Sequence, residues 1–196
     1  MSAIEFYFDF GSPTAYLAYK RLQWIAKEYN AEVQPVPVLL GGIFKATGNK
    51  SPVETPAKGQ WMFSDMSRFA ELYGAKMAFN PFFPINTIYL MRGAVYAQQQ
   101  GFLDTYMEAV YNAMWAEEKN MGDLEVVTQV LNDAGIDAAQ LMMAINEQPV
   151  KDELRVNTEK AVERGLFGCP TMFYKDQMFF GQDRLFFIET MLQQDS

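Results

Sequence analysis

The chain of 196 residues contains no histidine and a single cysteine, Cys169. Without imidazole there can be no Ser-His-Asp triad, no Cys-His pair and no zinc site built on histidine, so no metal site is expected. With one thiol there is no intrachain disulfide and no Cys-x-x-Cys redox pair. No apolar run approaches the roughly 20 residues that cross a bilayer. No block of Lys or Arg offers a nucleic-acid surface, and the net charge is −8, so neither nucleic acid nor membrane is expected as a partner. Met1-Ser2-Ala3-Ile4-Glu5 lacks the basic start and apolar stretch of a signal peptide, which makes a cytoplasmic location the expectation. An enzyme of this composition has to take its strong nucleophile or hydride from a bound molecule.

What is present suits one sizeable core: 49% of the residues are hydrophobic. Ile4-Glu5-Phe6-Tyr7-Phe8-Asp9 alternates and is aromatic, which predicts a strand. Gly11-Ser12-Pro13 predicts a helix start, with Ser12 as N-cap and Pro13 at the first helical position, running to about Tyr29. Glu32 to Val38 reads as a second strand, and its prolines put it at an edge. From Gly41 to about Gly165 the spacing is helical over Lys58–Tyr73, Asn86–Gln99, Leu103–Ala116, Leu124–Asp133 and Val150–Arg164, with a short helix opening at Asp137. Thr171–Tyr174 and Gln177–Phe180 form a hairpin about the Lys175-Asp176 turn, and a helix from Asp183 to Gln193 follows. The order βαβ, helical block, ββα predicts an α/β protein with a thioredoxin-like fold and a large all-helical insertion. The expected division is 1–40 plus 165–196 as the thioredoxin-like part, and 41–164 as the inserted helical domain.

Ser12 falls where a strand of a parallel unit hands over to a helix, a place where ligands usually bind. Helix-start N–H groups stabilise an anion there, and a thiolate set against them and the Ser12 hydroxyl has a lowered pKa. With no histidine as base, Ser12 suits the role of donor to another molecule's sulfur better than that of nucleophile. Its plain alternative is an N-cap serine worth about 1 kcal/mol to the helix. Cys169-Pro170 stands where a cis-proline loop would face Ser12; its thiol is either a small half-buried hydrophobe or a partner for a bound thiol. Asp183 reads as the N-cap of the last helix, or as a carboxylate for a ligand's ammonium group.

Four motifs in order match a known family. Phe8-Asp9-Phe10-Gly11-Ser12-Pro13-Thr14-Ala15-Tyr16-Leu17-Ala18 resembles the opening signature of the 2-hydroxychromene-2-carboxylate isomerase and kappa-class glutathione transferase family, a DsbA-like branch of the thioredoxin superfamily. The likeness continues through Gly48-Asn49-Lys50-Ser51-Pro52 with Lys58, Gly165 to Thr171, and Phe180-Gly181-Gln182-Asp183-Arg184-Leu185. The resemblance implies glutathione as cofactor, with Ser12 donating a hydrogen bond to its sulfur. It also implies that Asn49 and Lys58 hold the tripeptide and that the backbone of Cys169, before Pro170, pairs with its cysteinyl unit. Asp183 would take the γ-glutamyl ammonium, with Gln182 beside it. A cysteine in place of an aliphatic residue before that proline departs from the pattern. Phe82, Phe83 and Asn86 are candidates to line a second-substrate pocket, and Lys45 and Lys50 to meet a substrate carboxylate.

The function this implies is a glutathione-dependent isomerase of the 2-hydroxychromene-2-carboxylate type, in which Ser12 activates the thiol for addition to an unsaturated 2-oxo acid. The alternatives are a kappa-type transferase or peroxidase acting on a small-molecule electrophile, and a non-catalytic thioredoxin-fold binding module. A dithiol oxidoreductase does not fit, because Ser12 and Ala15 stand where its cysteines would be. The resemblance, with Phe, Met and Tyr abundant in the helical block, leads us to expect a homodimer.

Overall fold

Ile4, Phe6 and Phe8 alternate with Glu5 and Tyr7 along β1 (Ile4–Phe8), and the alternation separates two apolar clusters. The first three enter the main core. Tyr7 joins a smaller cluster with Val38, Ile43, Ala161, Leu166, Cys169 and Phe173. The chain turns from β1 into helix α1 (Pro13–Tyr29) and returns as β2 (Val33–Pro37), parallel to β1 with Ile4 beside Val33 and Phe8 beside Pro37. Near the other end of the chain, β3 (Thr171–Tyr174) pairs antiparallel with β1, and β4 (Gln177–Phe180) with β3, giving the order β2-β1-β3-β4. The hairpin turn is Lys175 and Asp176, both at positive φ, which matches the right-handed twist of the strands. Pro35 and Pro37 lie in an edge strand, where a missing N–H can face outward.

The computed structural model describes residues 3–195. Met1 and Ser2, which entered the signal-peptide reading, and Ser196, the last residue of the 165–196 segment, lie outside the described residues. Between β2 and β3 come helices α2 (Leu40–Thr47), α3 (Pro56–Tyr73), α4 (Ile88–Gln100), α5 (Leu103–Trp115), α6 (Leu124–Asp133), α7 (Ala138–Ala144) and α8 (Gln148–Glu163). Helix α9 (Leu185–Asp195) follows the hairpin. This is the thioredoxin-like fold with its helical insertion. None of the described helices is long and apolar enough to cross a membrane.

Several boundaries differ from the sequence expectation. Helix α2 was not singled out, because Gly41-Gly42 lowers its intrinsic propensity and packing of Ile43 into the smaller cluster decides it instead. Helix α4 starts at Ile88 rather than Asn86, whose Oδ1 accepts the Ile88 N–H at 3.0 Å. Asp183 is not the N-cap of the last helix: it lies inside a 3₁₀ turn, Gln182–Arg184, and α9 begins at Leu185.

The main core runs from the sheet through α1, α4 and α5 into α6 to α8. Two contacts show how it fixes the region around Ser12. Trp115 Nε1 donates to the Phe10 carbonyl at 2.7 Å, tying α5 to the turn after β1. Gly93 lets the hydroxyl end of Tyr106 come up against α4, where a Cβ would sit 2.1 Å from the tyrosine oxygen. That hydroxyl donates to the Leu90 carbonyl at 2.9 Å.

Candidate active site

Asp9 leaves β1 fully enclosed by protein. One carboxylate oxygen accepts the Gly11 N–H and the other the Leu40 N–H, both at 2.8 Å, and the Thr87 hydroxyl also donates to it. Asp9 therefore clamps the starts of α1, α2 and α4 around one point. Burial raises its pKa above the usual carboxylate range, opposed by the N–H groups of Leu40 and Gly11 and then by Thr87.

The turn that Asp9 holds delivers Ser12, which caps α1 as expected: its Oγ accepts the Ala15 N–H at 3.2 Å. The same oxygen donates to the Cys169 carbonyl at 2.9 Å and lies 3.1 Å from Thr14 Oγ1. Cys169-Pro170 is a cis peptide, as the loop reading anticipated. The thiol of Cys169, however, belongs to the small cluster with Val38, Ile43 and Leu166. Burial pushes its pKa well up, and the negative charge of Asp9 pushes it further. A thiol so placed stays protonated, so Cys169 is an apolar filler whose backbone, rather than its sulfur, addresses Ser12.

A cavity of about 610 Å³ opens over this turn. Ser12, Asn49, Lys58, Cys169, Gln182 and Asp183 all line it. Pro170 does not, but its carbonyl accepts the Gly181 N–H at 3.0 Å and so fixes the link from β4 into the 3₁₀ turn that carries Gln182 and Asp183. Asn49 Nδ2 donates to the Phe167 carbonyl at 2.7 Å, and its Oδ1 accepts the Lys50 N–H at 2.9 Å, joining two walls. Lys58 is exposed and forms no ion pair among the described residues. Gln182 is buried, and its carbonyl accepts the Tyr73 hydroxyl at 2.6 Å. Asp183 is paired with the Arg184 guanidinium rather than free.

Of the residues suggested for a second pocket, the structure brings in Phe83 and Lys50 and leaves out Phe82, Asn86 and Lys45. Asn86 is occupied in capping α4, and Lys45 points from an exposed position of α2. Sequence reasoning missed Asp9, Thr14, Trp61 and Met62. Trp61 and Met62 could have been found, because residues three and four beyond Lys58 share its side of a helix. An acid between two buried phenylalanines, Phe8 and Phe10, was the available signal for Asp9. No group of three or more Cys, Asp or Glu that could hold a metal ion occurs among the described residues.

The sequence profile of the DSBA-like thioredoxin domain matches residues 3–193. Over 192 residues the chain is 31% identical to a 2-hydroxychromene-2-carboxylate isomerase of Pseudomonas putida, with 96% of this chain and 93% of that protein covered. The chain belongs to the DsbA-like thioredoxin family, in its branch of 2-hydroxychromene-2-carboxylate isomerases and kappa glutathione transferases. The family member is also 28% identical over 196 residues to glutathione S-transferase kappa 1 of Rattus norvegicus, with 93% of this chain and 87% of that protein covered. A solved 2-hydroxychromene-2-carboxylate isomerase superposes with a TM-score of 0.89 at 29% identity, covering 98% of this chain and 95% of that one. This member carries Ser12 at the helix start and Ala15 one turn in, with no second thiol anywhere in the chain.

Proposed function

We propose that this family member is a glutathione-dependent isomerase of the 2-hydroxychromene-2-carboxylate type, with Ser12 activating the glutathione thiol. The observation that carries the reading is the Ser12 hydroxyl, 2.9 Å from the Cys169 carbonyl at a helix start on the wall of the cavity. A peptide thiol entering there brings two complementary groups. Its cysteinyl N–H can take over the Cys169 carbonyl, which frees the Ser12 proton for the sulfur. The helix-start N–H groups add to the stabilisation of a thiolate.

The cavity walls suit the rest of the tripeptide. Lys58 and Lys50 offer positive charge toward a carboxylate, and the Asp183 carboxylate offers an acceptor for the γ-glutamyl ammonium beside Gln182. Asn49 and the backbone at Cys169 line the same groove, with Pro170 holding Gly181 behind it. Phe83, Trp61 and Met62 give the apolar side on which an unsaturated oxo acid would rest.

The chemistry is covalent catalysis by a borrowed nucleophile. The thiolate forms a carbon–sulfur bond with the conjugated alkene of a 2-oxo acid, and the alkene electrons move onto the oxo oxygen as an enolate. The former double bond is now single and rotates. Collapse of the enolate re-forms the alkene and expels the thiolate, so glutathione is returned unchanged and no oxidant is consumed. We further propose a homodimer in the cytoplasm, with 41–164 acting as the helical domain that supplies the second-substrate side.

The test is calorimetric titration of reduced glutathione with thiolate absorbance followed against pH. A hydrogen bond to a charged group contributes about 1.5 to 3 kcal/mol, so the bound thiol's pKa should fall by about 1 to 2 units and recover in Ser12→Ala. Screening of unsaturated 2-oxo acids for cis–trans interconversion then identifies the reaction. No binding at millimolar glutathione would overturn the reading.

A further inference from the structure

The glutathione role of this site leaves one neighbour of Ser12 unused. A serine hydroxyl has one proton to give and two lone pairs to receive. Ser12 Oγ has three partners: the Ala15 N–H at 3.2 Å, the Cys169 carbonyl at 2.9 Å and Thr14 Oγ1 at 3.1 Å. The amide can only donate and the carbonyl can only accept. The single Ser12 proton is therefore committed to Cys169, and the contact with Thr14 has to run from the threonine hydroxyl to Ser12.

We infer that Thr14 is a positioning residue that makes Ser12 an obligate donor. With both lone pairs filled by Ala15 N–H and Thr14 O–H, the one valence left to Ser12 is its proton, which is directed at the Cys169 carbonyl. In the free protein that proton rests on the Cys169 carbonyl. When a thiolate reaches the helix start, Thr14 and Ala15 keep their places and the proton swings to sulfur. A hydroxyl that itself accepts a hydrogen bond is also the stronger donor, so the chain from Thr14 through Ser12 stabilises the thiolate beyond Ser12 alone. Thr14 is half-buried and lines the same cavity, whereas Ala15 offers no hydroxyl from the next position. This inference rests on the thiol-binding role proposed for the site.

The experiment follows the pKa of glutathione bound to the full chain in wild type, Thr14→Val, Thr14→Ser, Ser12→Ala and the Ser12→Ala/Thr14→Val double variant. The charged groups around the thiol are Asp9 beneath the turn, with Lys50, Lys58, Asp65 and Asp183 on the walls and Arg184 on Asp183. All are kept in every variant, so the comparison isolates the hydroxyls. Thr14→Val should raise the bound thiol's pKa by about 0.3 to 0.5 units, Thr14→Ser should restore it, and the double variant should match Ser12→Ala alone. Thr14→Ala serves as a second hydroxyl-free variant if the valine perturbs folding. A pKa unchanged in Thr14→Val, or an effect that adds fully to that of Ser12→Ala, overturns the inference while leaving the glutathione role intact. A wild-type chain that does not lower the thiol pKa overturns both.

Discussion

Ser12 gives its hydroxyl proton to the backbone oxygen of Cys169 at 2.9 Å, while the cysteine's sulfur is buried in a separate apolar cluster. The main chain of Cys169 and its side chain thus serve different ends. Replacing Cys169 with alanine should leave turnover near the wild-type level and cost about 1 kcal/mol or more of stability from the emptied volume. The native thiol should react slowly with a disulfide reagent and fully once the chain is unfolded. Loss of activity in Cys169→Ala with the fold intact would make the sulfur part of the chemistry.

Asp9 carries a pH signature. Burial holds its folded-state pKa above the ordinary value of 3.8, so the folded chain keeps a proton that the unfolded chain releases. Its contribution to stability is full below that value and is lost as pH rises through the raised pKa. In Asp9→Asn this dependence disappears, and an amide facing two N–H donors leaves at least one unsatisfied, at about 1 to 3 kcal/mol. Urea unfolding of both forms across the acid range should give a stability difference that is largest at the acid end and shrinks toward neutrality. A pH-independent difference would contradict this.

Asn49 and Lys58 line the same cavity but should fail in different ways. Asn49 joins its loop to Phe167 at 2.7 Å, so Asn49→Ala should lower stability by about 0.5 to 1.5 kcal/mol as well as weaken glutathione binding. Lys58 is exposed and unpaired among the described residues, so Lys58→Met should leave stability alone. It should weaken glutathione binding by about two- to fivefold at low salt, fading as salt is added. Calorimetry at two ionic strengths with parallel unfolding curves separates the two.

The fold was legible because its signals are local. Alternation in β1, the Ser12-Pro13 helix start and the Lys175-Asp176 turn each specify one element, and their order specifies the topology. Helix α2 was not, since Gly41 and Gly42 argue against it and tertiary burial of Ile43 overrides them. In the site, residues carried by motifs came together in one cavity, whereas those set by packing did not announce themselves. Asp9 depends on partners at Leu40 and Thr87, far along the chain, and Thr14 matters through a distance to Ser12 that no pattern encodes. Asp183 reads as a helix cap because it stands two residues before α9, and the 3₁₀ turn Gln182–Arg184 that occupies this stretch has no pattern of its own in the sequence.

The close approach of α4 and α5 makes its own prediction. At Gly93 a methyl group would meet the Tyr106 oxygen at 2.1 Å and the ring behind it at 2.7 Å, both inside the core. Gly93→Ala gains helix propensity but should lose about 1 to 3 kcal/mol overall from the forced shift of Tyr106, seen as a lowered Tm. The paired variant Gly93→Ala/Tyr106→Phe should recover part of that loss, since it removes the clashing oxygen. A stabilised Gly93→Ala would mean the helices can separate freely.

Titration of reduced glutathione into wild type and Ser12→Ala, read by thiolate absorbance as a function of pH, bears most directly on what this chain does. Saturable binding is expected, with a thiol pKa about 1 to 2 units below that of the free tripeptide in wild type and raised toward the free value in Ser12→Ala, where only the helix-start N–H groups still act. An identical thiol pKa in the two proteins, or no binding at millimolar concentration, would contradict the assignment of Ser12 as donor to a borrowed sulfur.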